Sequence, residues 1–149
     1  MSTKEEIYHA CENEIEHRIN FFQKILHDLS DGAKNDAKSS AGDKHETSLS
    51  MMQIEQEKIR KQLHEIQVMK VTLEKLNPQL ISESINLGSF IKTNIGYFYI
   101  AVALGKLKVG NNELFVISQQ SPMANKLLGL SLNSEIEMNS KKIIIQAIS

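Results

Sequence analysis

Gly42-Asp43-Lys44-His45-Glu46-Thr47-Ser48 is the stretch whose reading decides the fold. It lies between two long helical patterns. The residues before it read as one arm, and residues 47–76 read as a second arm leading away. Asp43 and Glu46 stand three apart, a spacing that places two side chains on one helical face. Two readings follow. Asp is a preferred N-cap and Glu a preferred third residue, so Asp43-x-x-Glu46 approximates a capping box, and acids suit a helix N-terminus. The same carboxylates at the end of a hairpin form a hard, oxygen-only ligand pair suited to Mg²⁺. Two carboxylates bind Mg²⁺ weakly by themselves, so this second reading has the tip completing a metal site in another molecule.

The arms carry the helical period. Tyr8, Cys11, Ile15, Arg18, Phe22, Ile25 and Leu29 recur in steps of three and four, apolar except for Arg18, with Ile19 and Leu26 widening the stripe. Ser2 or Thr3 can cap the start, with Glu5 and Glu6 in the first turn. Such a narrow stripe suits a helix that pairs with one partner helix. The second arm repeats it with Met52, Ile59, Leu63, Ile66, Met69, Leu73 and Leu76, and with Glu57 and Lys61 placed for an i,i+4 ion pair. Asn77-Pro78 ends it, because the residue before proline is pushed out of the helical region. Residues 30–47 hold no large apolar side chain, and read either as a flexible loop or as a solvated helix. Arms of matched length from about residue 3 to about residue 76 reverse near Ser39-Ser40-Ala41-Gly42. A helix of about 30 residues spans roughly 45 Å, more reach than a small globule needs.

After Pro78 the period becomes two. Residues 89–93 and 97–102 read as strands around an Asn94-Ile95-Gly96 turn. Residues 113–117 follow a Gly110-Asn111-Asn112 turn, and residues 135–138 and 142–148 flank Asn139-Ser140 as a hairpin. Ser121 caps a short helix that has Pro122 at its first position and Gly129 at its end. The fold class is therefore α+β. Residues 1–77 form a coiled-coil hairpin with its tip near 39–47, and residues 78–149 form a small, mainly antiparallel sheet domain with one short helix.

Composition narrows the function. The 149 residues are 41% hydrophobic with a formal net charge of −1. Residues 1–76 hold 11 Lys+Arg against 14 Asp+Glu, and residues 77–149 hold 6 against 4, so neither half is a basic patch for general nucleic-acid binding. Cys11 is the only cysteine, which excludes an internal disulfide and a Cys-based zinc site within one chain. The N-terminus lacks the apolar core of a signal peptide and no run approaches a membrane span, so a soluble cytoplasmic protein without membrane association is expected. His9, His17, His27 and His64 read as surface residues. No nucleophile elbow and no phosphate-cradling glycine loop is present.

Two separated signatures make the sequence resemble the GreA/GreB family of bacterial transcript-cleavage factors. The first is Gly42-Asp43-Lys44-His45-Glu46, similar to that family's Gly-Asp-Leu-x-Glu-Asn-Ala tip. The second is Ile117-Ser118-Gln119-Gln120-Ser121-Pro122-Met123-Ala124 followed by Leu127-Leu128-Gly129, similar to Ile-Ser-x-x-Ser-Pro-Leu-Ala-x-x-Leu-Leu-Gly. Leu87-Gly88-Ser89 also resembles the family's entry to its first strand. The resemblance spans nearly the whole chain, and its C-terminal signature is the specific one.

The resemblance implies an FKBP-like second domain that docks on RNA polymerase at its secondary channel, with Ser118, Ser121 and Pro122 as the candidate contact region. It implies that Asp43 and Glu46 reach the polymerase centre and help hold its second Mg²⁺, so that the polymerase cuts its own backtracked RNA. The chain would then be a monomeric elongation factor, not itself an enzyme, with no cofactor of its own and only indirect contact with the RNA 3′ end and the DNA–RNA complex. Departures stand at Lys44, at Thr47-Ser48 and at Asn133-Ser134. A non-cleaving secondary-channel regulator, or a coiled-coil adaptor with no polymerase role, are the alternatives.

Overall fold

The computed structural model describes the backbone of residues 3–39 and 43–149, and side chains within that set outside 33–46. Two long helices, α1 (Lys4–Ser39) and α2 (Asp43–Glu74), precede six strands and a third, short helix. The α+β class is as the sequence reading has it. The chain divides into two compact units, Met1–Glu12 with Val71–Ser149, and Asn13–Lys70.

Thr3 is the residue that caps α1. Its hydroxyl accepts from the Glu6 N–H at 3.1 Å, and its carbonyl accepts from the Ile7 N–H at 3.0 Å. No proline interrupts α1, and it runs through Gly32 to Ser39. Of the two readings open for residues 30–47, the helical one therefore holds as far as Ser39. The reversal expected at 39–42 falls largely on residues 40–42, outside the described residues.

Within the Asn13–Lys70 unit the two helical segments run antiparallel. The Lys70 ammonium reaches the Glu16 carboxylate at 2.8 Å, and Gly32 lies beside Met52. Ile15, Ile19, Ile59 and Ile66 are buried along the seam. Arg18, the polar member of the α1 stripe, donates to Glu14 at 2.9 Å. Glu57 and Lys61 are both exposed, and no ion pair of either is found among the described residues. Exposed i,i+4 pairs are worth only about 0.3–0.5 kcal/mol, too little to hold two long side chains firmly.

The second unit is built on a six-stranded sheet of order β3-β4-β2-β1-β6-β5. The strands are β1 (Phe90–Thr93), β2 (Gly96–Ala101), β3 (Gly105–Val109), β4 (Asn112–Ser118), β5 (Glu135–Met138) and β6 (Lys141–Ile148). Every pairing is antiparallel except β2 with β4, which is parallel with Tyr99 opposite Val116. Asn139 and Ser140 both have positive φ, 52° and 65°, as a two-residue type I′ hairpin requires. On one sheet face Ile91, Phe98, Ile100 and Ile145 pack with Ala124 and Leu127 of α3 (Pro122–Leu127). Alternation sends Tyr99 and Val116 to the opposite face, where both are fully buried. Ile7, Tyr8 and Cys11 from the first turns of α1, and Leu73 from the last turn of α2, are buried in the same unit.

Strand β3 was not expected from the sequence. Its Gly105-Lys106-Leu107-Lys108-Val109 carries only two large apolar residues between lysines, the composition that protects an exposed sheet edge.

Candidate functional site

Asp43 and Glu46 are the first and fourth residues of α2. The structure therefore sets them on one helix with the three-residue spacing on which both sequence readings rest. Their side chains, with those of Lys44 and His45, lie outside the described residues. Among the described residues no group of three or more His, Cys, Asp or Glu could enclose a metal ion. Of the other acids near the tip, Asp31 sits 3.2 Å from His27 on the exposed face of α1.

Ser118, Ser121 and Pro122 come together in the turn from β4 to α3. Ser118 closes β4, and its carbonyl accepts from the Ser121 N–H at 3.1 Å. The Ser121 hydroxyl then accepts from the Ala124 N–H at 3.1 Å, capping α3, while Pro122 takes the first helical turn, where no N–H is needed. The Leu128 N–H closes the helix onto the Ala124 carbonyl at 2.8 Å. Gly129 follows at φ 85°, a left-handed conformation that glycine adopts without strain. Ser118, Ser121, Pro122, Ala124, Leu128 and Gly129 thus each have a local structural task. Ala124 and Leu127 are fully buried, whereas Gln119, Gln120 and Pro122 are exposed at the turn. The signature therefore builds a rigid corner that presents a short polar surface.

Features with binding character that the motifs did not point to lie between α2 and β1. Leu80 and Ile81, adjacent in this connection, expose 67% and 77% of their surface. Leu132, 54% exposed, and Ile81 line one groove together. Lys4 crosses from the start of α1 to donate to the Leu80 carbonyl at 2.7 Å. Sequence periodicity could not find these residues, because they follow the helical repeat and precede the strand repeat. The available signal was the adjacent apolar pair itself, in a connection whose other apolar residues, Leu76, Ile85 and Leu87, stand singly. Among the described residues no helix is long and apolar enough to cross a membrane.

No family model matches this sequence, and no curated protein matches it. Among solved structures, one described as "Structure of the transcription factor Gfh1" is similar, with 17% sequence identity, 93% of each chain covered and a TM-score of 0.38.

Proposed function

We propose that this chain is a Gre-type factor that binds RNA polymerase and stimulates cleavage of backtracked RNA. The reading rests on one conjunction. An acidic pair occupies the first turn of the second helix of a hairpin, and the Ile117–Gly129 signature follows in the same chain as a strand–turn–helix corner. The hairpin would enter the secondary channel, and the corner at Ser118, Ser121 and Pro122 would meet the polymerase surface. Asp43 and Glu46 supply oxygen donors of the type Mg²⁺ takes, but too few to retain it, which suits a site shared with the polymerase. The polymerase's metal would supply charge stabilisation and a bound water of lowered pKa. The contribution of this chain is to position carboxylates that accept hydrogen bonds from that water and orient it. On this reading the chain has no independent catalysis and acts in the cytoplasm.

Lys44, which stands between the two acids in the sequence, favours a second reading, a regulator that occupies the channel without promoting cleavage, because it adds a cationic residue to the acidic motif. RNA cleavage in stalled, backtracked complexes with the cognate polymerase separates the two. The Asp43→Asn, Glu46→Gln double variant should lose cleavage at least tenfold while still binding. Binding by wild type without cleavage would support the regulator, and absence of binding would overturn both.

A further inference from the structure

A cleft of about 360 Å³ lies in the sheet-bearing unit, lined among others by Lys4, Lys75, Leu76, Asn77, Asn86 and Leu87. Its volume is in the range, roughly 300–1,000 Å³, of pockets that hold small molecules. The lining contains two lysines and no acid. Neither lysine has an ion-pair partner among the described residues.

Lys4 is half-buried, and burial holds its ammonium below the usual lysine range. It is also the first residue of α1, where the helix dipole adds positive potential. A hydrogen bond to the Leu80 carbonyl fixes the ammonium and uses one of its three donors. Asn77 spends its side-chain oxygen on the Gln79 N–H at 2.9 Å, which leaves its amide group as a donor. Leu76 and Leu87 give the cleft an apolar wall. Lys75 is exposed at the cleft, so only Lys4 is partly desolvated. Two cations without an acid in a concave lining focus a positive potential, and hydrogen-bond donors beside them suit a phosphate group.

We infer that this cleft binds a phosphate group, either as the free ion or as the monoester of a small organic molecule whose apolar part lies against Leu76 and Leu87. The phosphate would bridge Lys4 and Lys75 and supply the counter-charge that the lining lacks. This holds whether or not the chain binds polymerase.

Calorimetric titration of the full chain with inorganic phosphate and, separately, with uridine 5′-monophosphate tests it. Saturable binding is expected, weakened at least tenfold in Lys4→Met and in Lys75→Met, and retained in Lys4→Arg and in Lys108→Met on β3. Tighter binding of the monoester assigns the site to a phosphorylated small molecule, and equal binding assigns it to the free ion. Thermal melts of the variants separate loss of the site from loss of the fold. No saturable binding to wild type, equal binding by the Lys4→Met and Lys108→Met variants, or equal displacement by acetate would each overturn the inference.

Discussion

The Tyr8 hydroxyl donates a 3.1 Å hydrogen bond to the Leu73 carbonyl and so ties the first turns of α1 to the last turn of α2. Leu73 also accepts from the Leu76 N–H at 3.0 Å, so this carbonyl is not orphaned when the hydroxyl is removed. Tyr8→Phe should therefore cost only about 0.5–1 kcal/mol, the net worth of one hydrogen bond. Urea denaturation followed by circular dichroism would read it. A cost above about 2 kcal/mol would mean that the hydroxyl does more than this bond.

Tyr99 should respond in the opposite sense. Its side chain is fully buried, and its hydroxyl has no hydrogen-bond partner among the described residues. An unpaired buried hydroxyl costs about 1–3 kcal/mol, so Tyr99→Phe should leave stability unchanged or raise it by about 1 kcal/mol. Burial, with smaller contributions from Cys11 and Tyr8, pushes the Tyr99 pKa well above its usual value near 10. The folded state therefore holds this proton more tightly than the unfolded chain does. Stability from this group is complete below pH about 10 and falls as pH rises beyond it, since the unfolded state ionises first. Melting curves in that alkaline range should decline less steeply for Tyr99→Phe than for wild type.

Removing the cap of α3 tests the corner that carries the C-terminal signature. Ser121→Ala deletes the acceptor for the Ala124 N–H and should cost about 1 kcal/mol. Ser121→Asp keeps an acceptor and should recover most of the loss. If both variants melt with wild type, the cap does not hold this corner.

Gly32 offers a stabilising change. It lies inside α1 with ordinary helical backbone, where glycine is about 0.8–1 kcal/mol less favourable than alanine. A Cβ built there would come 3.1 Å from Met52 Cε, the free end of a flexible side chain that can turn aside. Gly32→Ala should raise stability by about 0.5 kcal/mol, measurable as a higher melting temperature. A drop would show that Met52 is held in place.

Much of the architecture could be read from periodicity. Ile15 and Ile66 follow the helical repeat and are buried. Tyr99 and Ile100 alternate across a strand and go to opposite faces. The Asn139-Ser140 hairpin followed from turn chemistry, since both positions need positive φ. The unread parts have physical causes. Ser30–Ser39 lacks large apolar residues, so nothing in its pattern separates a solvated helix from a loop. Strand β3 hides behind edge lysines. The parallel pairing of β2 with β4 depends on contacts between segments that no local pattern records. At the candidate site the Asp43/Glu46 spacing and the Ser121–Pro122 cap were legible as local motifs. The cleft at Lys4 and Lys75 was not, because its walls come from residues more than 70 positions apart.

The strand order has a consequence for biosynthesis. The last strand, β6, lies inside the sheet between β1 and β5, with Ile91 opposite Ile148 and Ile136 opposite Ile143. On a ribosome, β1 therefore waits with one edge open until more than forty further residues have been translated. The same delay reaches Met1–Glu12, which belong to that unit although they emerge first. The Asn13–Lys70 segments need no later partner within their own unit, so the hairpin can zip while its base and the sheet remain unfinished. A ribosome stalled shortly before Ile143 would then display a formed hairpin beside an exposed strand edge, the state in which this chain is most open to chaperones and to aggregation.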